Sequence, residues 1–425
     1  MTLPERFAVL RHRGFRRLLT GRTVSVLGDG LYTVAAMWLV FELTGSTAYT
    51  GLAGFLTQIP GVLSLFVGPI VDRSRLDRVL TLSEVAQGVV VLVVPLAWLA
   101  ESLTVAVVLA TMPVLSLVGL FAGPAQTAAV PRLVPDGSLV RANAAATAVG
   151  KTVDALARGI GGALVVLVSA VGVYVVDAVT FLVAAVLFVG LDVPGSASAD
   201  GGESEGPSQT GDHDPFDREA YVRDLREGIA TLTDSVLGLM LVGSLFANFL
   251  FGVAFAVLPS FAADLGGAGT YGLLLAGLTG GTVVGSLFSS WVESVPLGRT
   301  TIVGLTASGV LFAASVLVAR PLASVALFAL SRVPVGIYNV SVLATLQSGV
   351  PDDRLGRVSS VLSSASSLVS PVGVLLGGLL GELVGAWSVL LASAAGTVLT
   401  AAYWLVVPSL RTFDAPTAVE PGSLG

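Results

Sequence analysis

The chain has 425 residues, 54% of them hydrophobic and only 12% charged, with a mean hydropathy of +0.88. A soluble globular chain carries about 25% charged residues, so this composition excludes a water-facing globule, and repeated apolar runs of about 20 residues indicate an all-α polytopic membrane protein. There are no cysteines, and the two histidines, His12 and His213, fall outside the apolar runs, which excludes disulfides, Cys-ligated metals and histidine chemistry inside the membrane; the net charge of -6 comes largely from one acidic segment and gives no sign of nucleic-acid binding.

Residues 1–17 are basic, with Arg6, Arg11, Arg13, Arg16 and Arg17. The apolar run after them, 18–42, has no small-residue cleavage site and is read as a first transmembrane helix rather than a removable signal peptide. Further runs at 48–71, 79–100, 104–128, 140–168 and 172–191 complete a first set of six. A second set occupies 235–263, 269–293, 299–319, 322–348, 357–382 and 385–407. Between the sets, 192–217 is rich in Asp, Glu, Gly, Ser and Pro and predicts a disordered linker. In 218–234, Val222, Leu225, Ile229 and Leu232 recur at helical spacing, as in an amphipathic helix lying on the membrane surface. The expected organisation is therefore an N-terminal six-helix bundle over 1–191, the linker, the interfacial helix, a C-terminal bundle over 235–407 and a tail over 408–425. Arginines crowd the loops at one side, whereas loops at the other side carry only Arg320. The positive-inside rule places both termini and the linker in the cytoplasm.

The loop between the second and third runs holds five charged side chains within seven residues, from Asp72 to Arg78. Gly68, just before it, would let a neighbouring helix backbone come close. Asp72 is a carboxylate at a helix end, where it can face the positive N-terminus of another helix. Arg73, Arg75 and Arg78 hold the loop at the cytoplasmic face. A plain basic anchor needs neither Gly68 nor Asp72. Gly68, Asp72, Arg73 and Arg78 resemble the signature loop of the major facilitator superfamily, except that Ser74, Arg75 and Leu76 stand where the usual glycine follows Asp-Arg. In that family the loop acts as a latch on one end of the transporter.

An internal repeat supports the count of six plus six. Val134-Pro135-Asp136, followed by Leu139 and Arg141, recurs 216 residues later as Val350-Pro351-Asp352, followed by Leu355 and Arg357. At that offset Gly285 and Ser289 lie near the counterparts of Gly68 and Asp72, so the second loop lacks the carboxylate. Phe15-Arg16-Arg17, Gly28-Asp29, Gly123-Pro124-Ala125 and Val130-Pro131 through Asn143 are similar to the branch that holds enterobactin-type and macrolide exporters. The resemblance spans nearly all of the chain outside 192–217. It implies a twelve-helix fold of two pseudo-symmetric six-helix bundles, a site near mid-membrane, helices 1, 4, 7 and 10 around a cavity, and helices 2/11 and 5/8 crossing between the bundles. Glycines repeat every seven residues at 54, 61 and 68, and every four at 277, 281 and 285 and from 373 to 385. Such stripes permit close helix contact, static or sliding.

Charges inside the apolar runs are costly and therefore candidates for function. Asp29, flanked by Gly28 and Gly30, lies about 18 Å of helix rise from Arg17. The glycines could loosen the helix and turn the acid toward a cavity, as a proton- or cation-carrying group or as a permanent pair. Lys151, Asp154 and Arg158 share one helix face, which suits either a net positive patch for an anion or a structural ion-pair ladder. Helix 5 keeps the glycines of the family's antiporter motif at Gly159, Gly161 and Gly162 but lacks its proline. Arg332 and Asn339 in the tenth run, and Asn248 in the seventh, are candidate cavity contacts under the resemblance. Glu84 and Gln87 are expected near the cytoplasmic interface as structural residues, and Asp177 as a cap near the outer end of the sixth run. Gly150-Lys151-Thr152 is no phosphate loop, because Ala145 replaces its first glycine and no strand precedes it.

The expected function is secondary active transport at the plasma membrane: export of a drug-like or siderophore-like small molecule against a proton or sodium gradient, by a monomer, with no cofactor. An importer or uniporter, and a membrane receptor or scaffold without transport, are the alternatives. With neither cysteine nor histidine in the runs, an intramembrane enzyme is not expected.

Overall fold

A computed structural model describes residues 8–193 and 235–418, apart from a few side chains that include Asp72 and 352–357. The acidic linker from 194 onward and the expected interfacial helix at 218–234 lie outside the described residues. What is described is helical, as a chain must be when lipid offers its backbone no hydrogen-bond partner.

Among the described residues, twelve long helices follow one another in sequence. Helix α1 is Arg13–Thr44. Helix α2 covers 47–72 in three pieces: Thr47–Gln58, a 3-10 turn at Ile59–Leu63, and Ser64–Asp72. Pro60, which has no N–H to donate, sits in the turn that breaks it. Helices α3 and α4 are Leu76–Leu99 and Val105–Leu133. Leu139–Phe188 is two helices joined end to end, α5 over 139–168 and α6 over 170–188. They part at Ser169, whose φ of 69° and ψ of 164° belong to a region that side chains rarely enter. Its hydroxyl accepts the Gly172 N–H and starts α6. The second set is α7 Val236–Leu265, α8 Ala268–Val292, α9 Leu297–Leu317, α10 Pro321–Gly349, α11 Asp352–Val384 and α12 Ala386–Val406. Ten of these stretches are long and apolar enough to cross a membrane. The broken α2 falls below that length and α5–α6 counts as one, which reconciles ten with twelve.

The repeat read from the sequence is structural. Helix α4 ends at Leu133 and α10 at Gly349, each at the residue before Val-Pro-Asp. Val134 and Val350 are both buried. The arginines after Phe15 have a local purpose as well. The Arg17 guanidinium donates to the carbonyls of Val186, Leu187, Val189 and Gly190. A cation thereby satisfies the orphan carbonyls at the end of α6 and ties that end to α1.

The two halves meet where helix backbones touch. A methyl group added at Gly378 of α11 would lie 2.6 Å from the Cα of Gly51 in α2. One added at Gly272 of α8 would lie 2.6 Å from Gly162 of α5. Hydrogen bonds reinforce the α2 contact: Thr47 Oγ1 to the Gly378 carbonyl (2.9 Å), Thr50 Oγ1 to the Ala256 carbonyl (2.7 Å) and Ser46 Oγ to Glu382 Oε2 (2.8 Å). All of these lie toward the arginine-poor end. Toward the arginine-rich end, Gly61 and Gly68 of α2 face open space, with nothing within 4 Å of where a side chain would begin.

Three expectations change here. Gly68 admits no neighbouring helix, because the halves are apart at that end. The four-residue stripe of α8 faces α10 of its own half, with Gly277 against Ala329 and Gly285 against Gly336, while Gly373 and Gly377 of α11 face Phe249 and Val253 of α7. Of the stripe glycines, Gly54 of α2 meets Val374 of α11 and Gly381 of α11 meets Thr47 of α2, while the tightest backbone contacts between halves, at Gly51–Gly378 and Gly162–Gly272, involve glycines outside the stripes. Gly28 and Gly30 do not loosen α1, which is continuous; they let Asp177 and Thr180 of α6, and Ala157 of α5, approach its backbone.

Overpacking a close helix contact costs about 1–3 kcal/mol. Gly378→Val should therefore lower the melting temperature of the detergent-solubilised protein, and Gly61→Val should leave it unchanged. Intrinsic tryptophan fluorescence on heating reads both; equal losses would contradict a seam closed at one end only.

Candidate functional site

A cavity of about 900 Å³ lies between the two halves. Its walls come from α1 (Tyr32, Thr33, Met37), α5 (Lys151, Asp154, Arg158), α7 (Asn248, Phe251, Phe255), α8 (Thr279, Thr282) and α10 (Arg332, Asn339). Helix α4 adds only Met112, so the expectation of helices 1, 4, 7 and 10 holds for three of them, and α5 and α8, with α2, α9 and α12, supply further wall. The cavity reaches Thr147, Gly243 and Ser286, toward the arginine-rich end, where the halves are parted.

Seven of the residues singled out from the sequence are placed by the structure on or beside this space. Arg158 Nε donates to Asp154 Oδ1 at 2.9 Å, an i,i+4 pair on α5. The other Asp154 oxygen accepts from Thr279 Oγ1 of α8 at 3.4 Å, so the pair also bridges the halves. This selects Arg158 over Lys151 as the partner of Asp154. Lys151 is exposed on the wall, with no ion pair among the described residues. Asp29 is exposed and is not itself a wall residue. It lies one turn from the wall residue Thr33 on the same face of α1, and it interacts electrostatically with Asp154 and Arg158. Asn248, a wall residue, donates to the Ser244 carbonyl at 2.9 Å, and Asn339 is exposed on the wall.

Arg332 has no carboxylate partner among the described residues. Its guanidinium lies 5.0 Å from the ring centre of Phe312 and 5.2 Å from that of Phe328. Nε donates to Ser331 Oγ at 3.1 Å, while one terminal nitrogen is buried with no partner. Two aromatic faces hold the cation at about 0.5–2 kcal/mol each. They leave it free to donate to an acceptor that enters. Nothing in the sequence announced the two phenylalanines, which come from different helices. The Tyr338 hydroxyl, 2.9 Å from that of Ser244, joins α10 to α7 behind this group.

The signature loop is less assembled. Gly68 faces open space, Arg73 and Arg78 are exposed, and the Asp72 side chain lies outside the described set. The ion pair seen in the loop is Arg75 with Asp77, at 3.1 Å.

The other two intramembrane acids differ from expectation. Glu84 of α3 and Asp177 of α6 are completely buried, neither at an interface nor at a helix end. The run boundaries read from the sequence were nearly right. What hydropathy does not show is that α3 and α6 close over both acids inside one half.

No protein-family profile matches the chain. Curated relatives do, over most of its length. An uncharacterized MFS-type transporter, YfiS, of Bacillus subtilis is 25% identical over 390 residues, 88% of each chain. Macrolide efflux protein A of Streptococcus pyogenes is 22% identical over 393 residues, 87% of this chain and 90% of that one. The multidrug efflux pump Tap of Mycobacterium tuberculosis is 26% identical over 419 residues, 94% and 95% of the two chains. Among solved structures, a bacterial homolog of the human lysosomal transporter Spinster, in an inward-facing and unoccupied conformation, superposes with a TM-score of 0.69 at 16% identity, covering 97% of this chain and 98% of that one. These relatives are transporters, not enzymes, and the fold is the major facilitator fold.

Removing one partner of a buried ion pair costs about 3–5 kcal/mol, and less in a wall that water reaches. Arg158→Met should destabilise the protein by about 1–3 kcal/mol. The Asp154→Asn/Arg158→Met double variant should lose less than the sum of its singles, because the pair couples. Thermal unfolding of the four proteins closes the cycle, and simple additivity would remove the pair from the account.

Proposed function

We propose that this chain, a transporter of the major facilitator fold, exports an amphipathic drug-like or siderophore-like molecule from the cytoplasm across the plasma membrane in exchange for protons. The observation that carries the reading is the central cavity, with its partnerless Arg332 set between Phe312 and Phe328. A substrate with a flat apolar body would pack on Phe251, Phe255 and Met37, and an acceptor group such as a carboxylate, catecholate or carbonyl would meet Arg332 and Lys151. The relatives named as a macrolide efflux protein and a multidrug efflux pump support export of bulky molecules.

The positive-inside rule puts the arginine-rich end, both termini and the 192–217 linker in the cytoplasm. The conformation described is then open inward and sealed outward by the Gly51–Gly378 and Gly162–Gly272 contacts. Alternating access follows if the segments 1–191 and 235–407, as a single monomer, rock about these contacts. The outward-open state would bring Gly61 and Gly68 against the other half, where the Asp72–Arg73 latch engages. Asp29 is the acid within reach of cavity water and beside the Asp154–Arg158 pair. It serves as the proton carrier: a proton arriving there from outside weakens its attraction to Arg158, and its release inside restores it.

Inside-out vesicles with an imposed pH gradient and a panel of drug-like and siderophore-like compounds test the reading. Uptake should collapse with a protonophore and should fall to background in Asp29→Asn, while that variant keeps substrate exchange without a gradient. Arg332→Ala should weaken substrate binding by tenfold or more, about 1.4 kcal/mol, and Arg332→Lys should recover part of it. Uptake indifferent to the protonophore would turn the assignment toward a uniporter.

A further inference from the structure

Behind the cavity wall, inside the half built by α1–α6, the structure holds polar groups that neither the cavity nor the seam uses. Glu84 of α3 and Asp177 of α6 are each 0% exposed. Neither Glu84 oxygen has a hydrogen-bond partner, although Ser25 of α1 faces it. Asp177 Oδ1 accepts from Thr180 Oγ1 at 3.2 Å, and its Oδ2 has no partner. The two acids interact electrostatically with each other and with Asp29. Two phenols complete the cluster. Tyr32 (8% exposed) and Tyr174 (1% exposed) stack edge to face with ring centres 5.4 Å apart. Both hydroxyls lack a partner, and both interact with Asp177. Tyr32 is also a wall residue of the cavity, so the cluster and the cavity share one side chain.

Among the described residues no cation is paired with these acids: Arg22 of α1, one turn from Ser25, forms no salt bridge and does not act on either of them. Of the helices around them, α6 has no charge but Asp177, and α4 has none before Arg132 near its end. On α5, Arg158 is held by Asp154, and the remaining charges of α3, Asp77 and Arg78, sit in its first turn. Two carboxylates with three of their four oxygens unpartnered in an apolar interior would cost several kcal/mol each. A carboxylic acid costs far less and supplies the donor that the partnerless phenol and carboxyl oxygens require. Among the described residues no three acids converge as metal ligands, so the ion that fits is the proton.

We infer that Glu84 and Asp177 form a second proton-binding site, filled from the central cavity through Tyr32 and Asp29. Its use in transport rests on the proton-exchange reading above: a proton accepted at Asp29 from cavity water can move inward to the pair, and Asp29 is then free to load again. The close approach of α1 to α6 at Gly28, which brings its backbone against Asp177 and Thr180, is what makes the hand-over short.

The site is testable without substrate or gradient, so its failure is separable from failure of the export reading. Full-length protein in lipid vesicles is examined by infrared difference spectroscopy across a pH titration, following the C=O stretch of protonated carboxyl groups. Glu84→Gln and Asp177→Asn should each remove intensity from that band, and the double variant should remove both contributions. Asp264→Asn, whose carboxylate accepts from Trp387 at the arginine-poor end of α7, should leave the band unchanged. Tyr32→Phe keeps the ring and removes the hydroxyl; the band should persist while its hydrogen–deuterium exchange slows several-fold. If the acid variants do not fold, the tyrosine variant decides alone, and exchange at the wild-type rate would overturn the route from the cavity. A band untouched by both acid variants, or one displaced by sodium or calcium at constant pH, would overturn the site.

Discussion

Two pairs of glycines set the shape of this molecule. At Gly51–Gly378 and Gly162–Gly272 the backbones of opposing helices come within contact distance, which no side chain larger than hydrogen allows. Lipid offers little hydrophobic drive for helices to associate, so such contacts depend on dispersion and short hydrogen bonds. Thr47 and Thr50 supply those bonds beside one pair. Because both contacts lie toward the same end, the halves diverge toward the other, and a cavity of about 900 Å³ is the geometric remainder. In the proposed cycle a seam fastened at one end serves as a hinge: closing the cavity would open this contact and form another where Gly61 and Gly68 now face nothing.

The second constraint is the cost of charge away from water. Apart from the exposed Asp29 and Lys151, the mid-helix charges singled out above are handled in one of three ways. Asp154 and Arg158 pair in a wall that also meets the opposite half. Arg332 leans on aromatic faces and keeps donors unspent. Glu84 and Asp177 are enclosed with neither cation nor full hydrogen bonding. The first arrangement holds structure together. The other two are expensive unless something enters to complete them, and this is the physical reason to look for function there.

The twelve helices were legible in the sequence because each run must be apolar, and their ends fall close to the structural ones. The repeat at Val134 and Val350 was legible because it depends on residue identity alone. The candidates Lys151, Asp154, Arg158, Asn248, Arg332 and Asn339 could be found as polar groups in apolar runs, and they line one cavity. What failed was anything requiring the rotation of a helix. The glycine stripes were visible, but which neighbour each one faces was not: Gly54 and Gly381 do meet the opposite half, whereas Gly277, Gly285, Gly373 and Gly377 pack within their own. Phe312 and Phe328 were invisible among the many apolar residues around them. Glu84 and Asp177 carried a signal, but their depth was judged along the helix axis, when burial depends on which face α3 and α6 turn to each other.

The duplicated frame is not chemically symmetric. The first six helices contain Asp29, Glu84, Asp154 and Asp177, whereas the acids of the second six, such as Asp264 and Glu382, stand near helix ends. Arg332 is the mid-helix charge of that second half, and the repeat of the signature loop has Ser289 near the position of Asp72. Carboxyl groups are thus gathered in one half and a single aromatic-clamped arginine stands in the other, and under the proposed function this separates proton chemistry from recognition of the carried molecule. That separation has a mechanical consequence. The Asp154–Thr279 bridge and the glycine seam join the two halves, so in the proposed exchange coupling between ion and substrate would pass through the contacts that alternating access opens and closes.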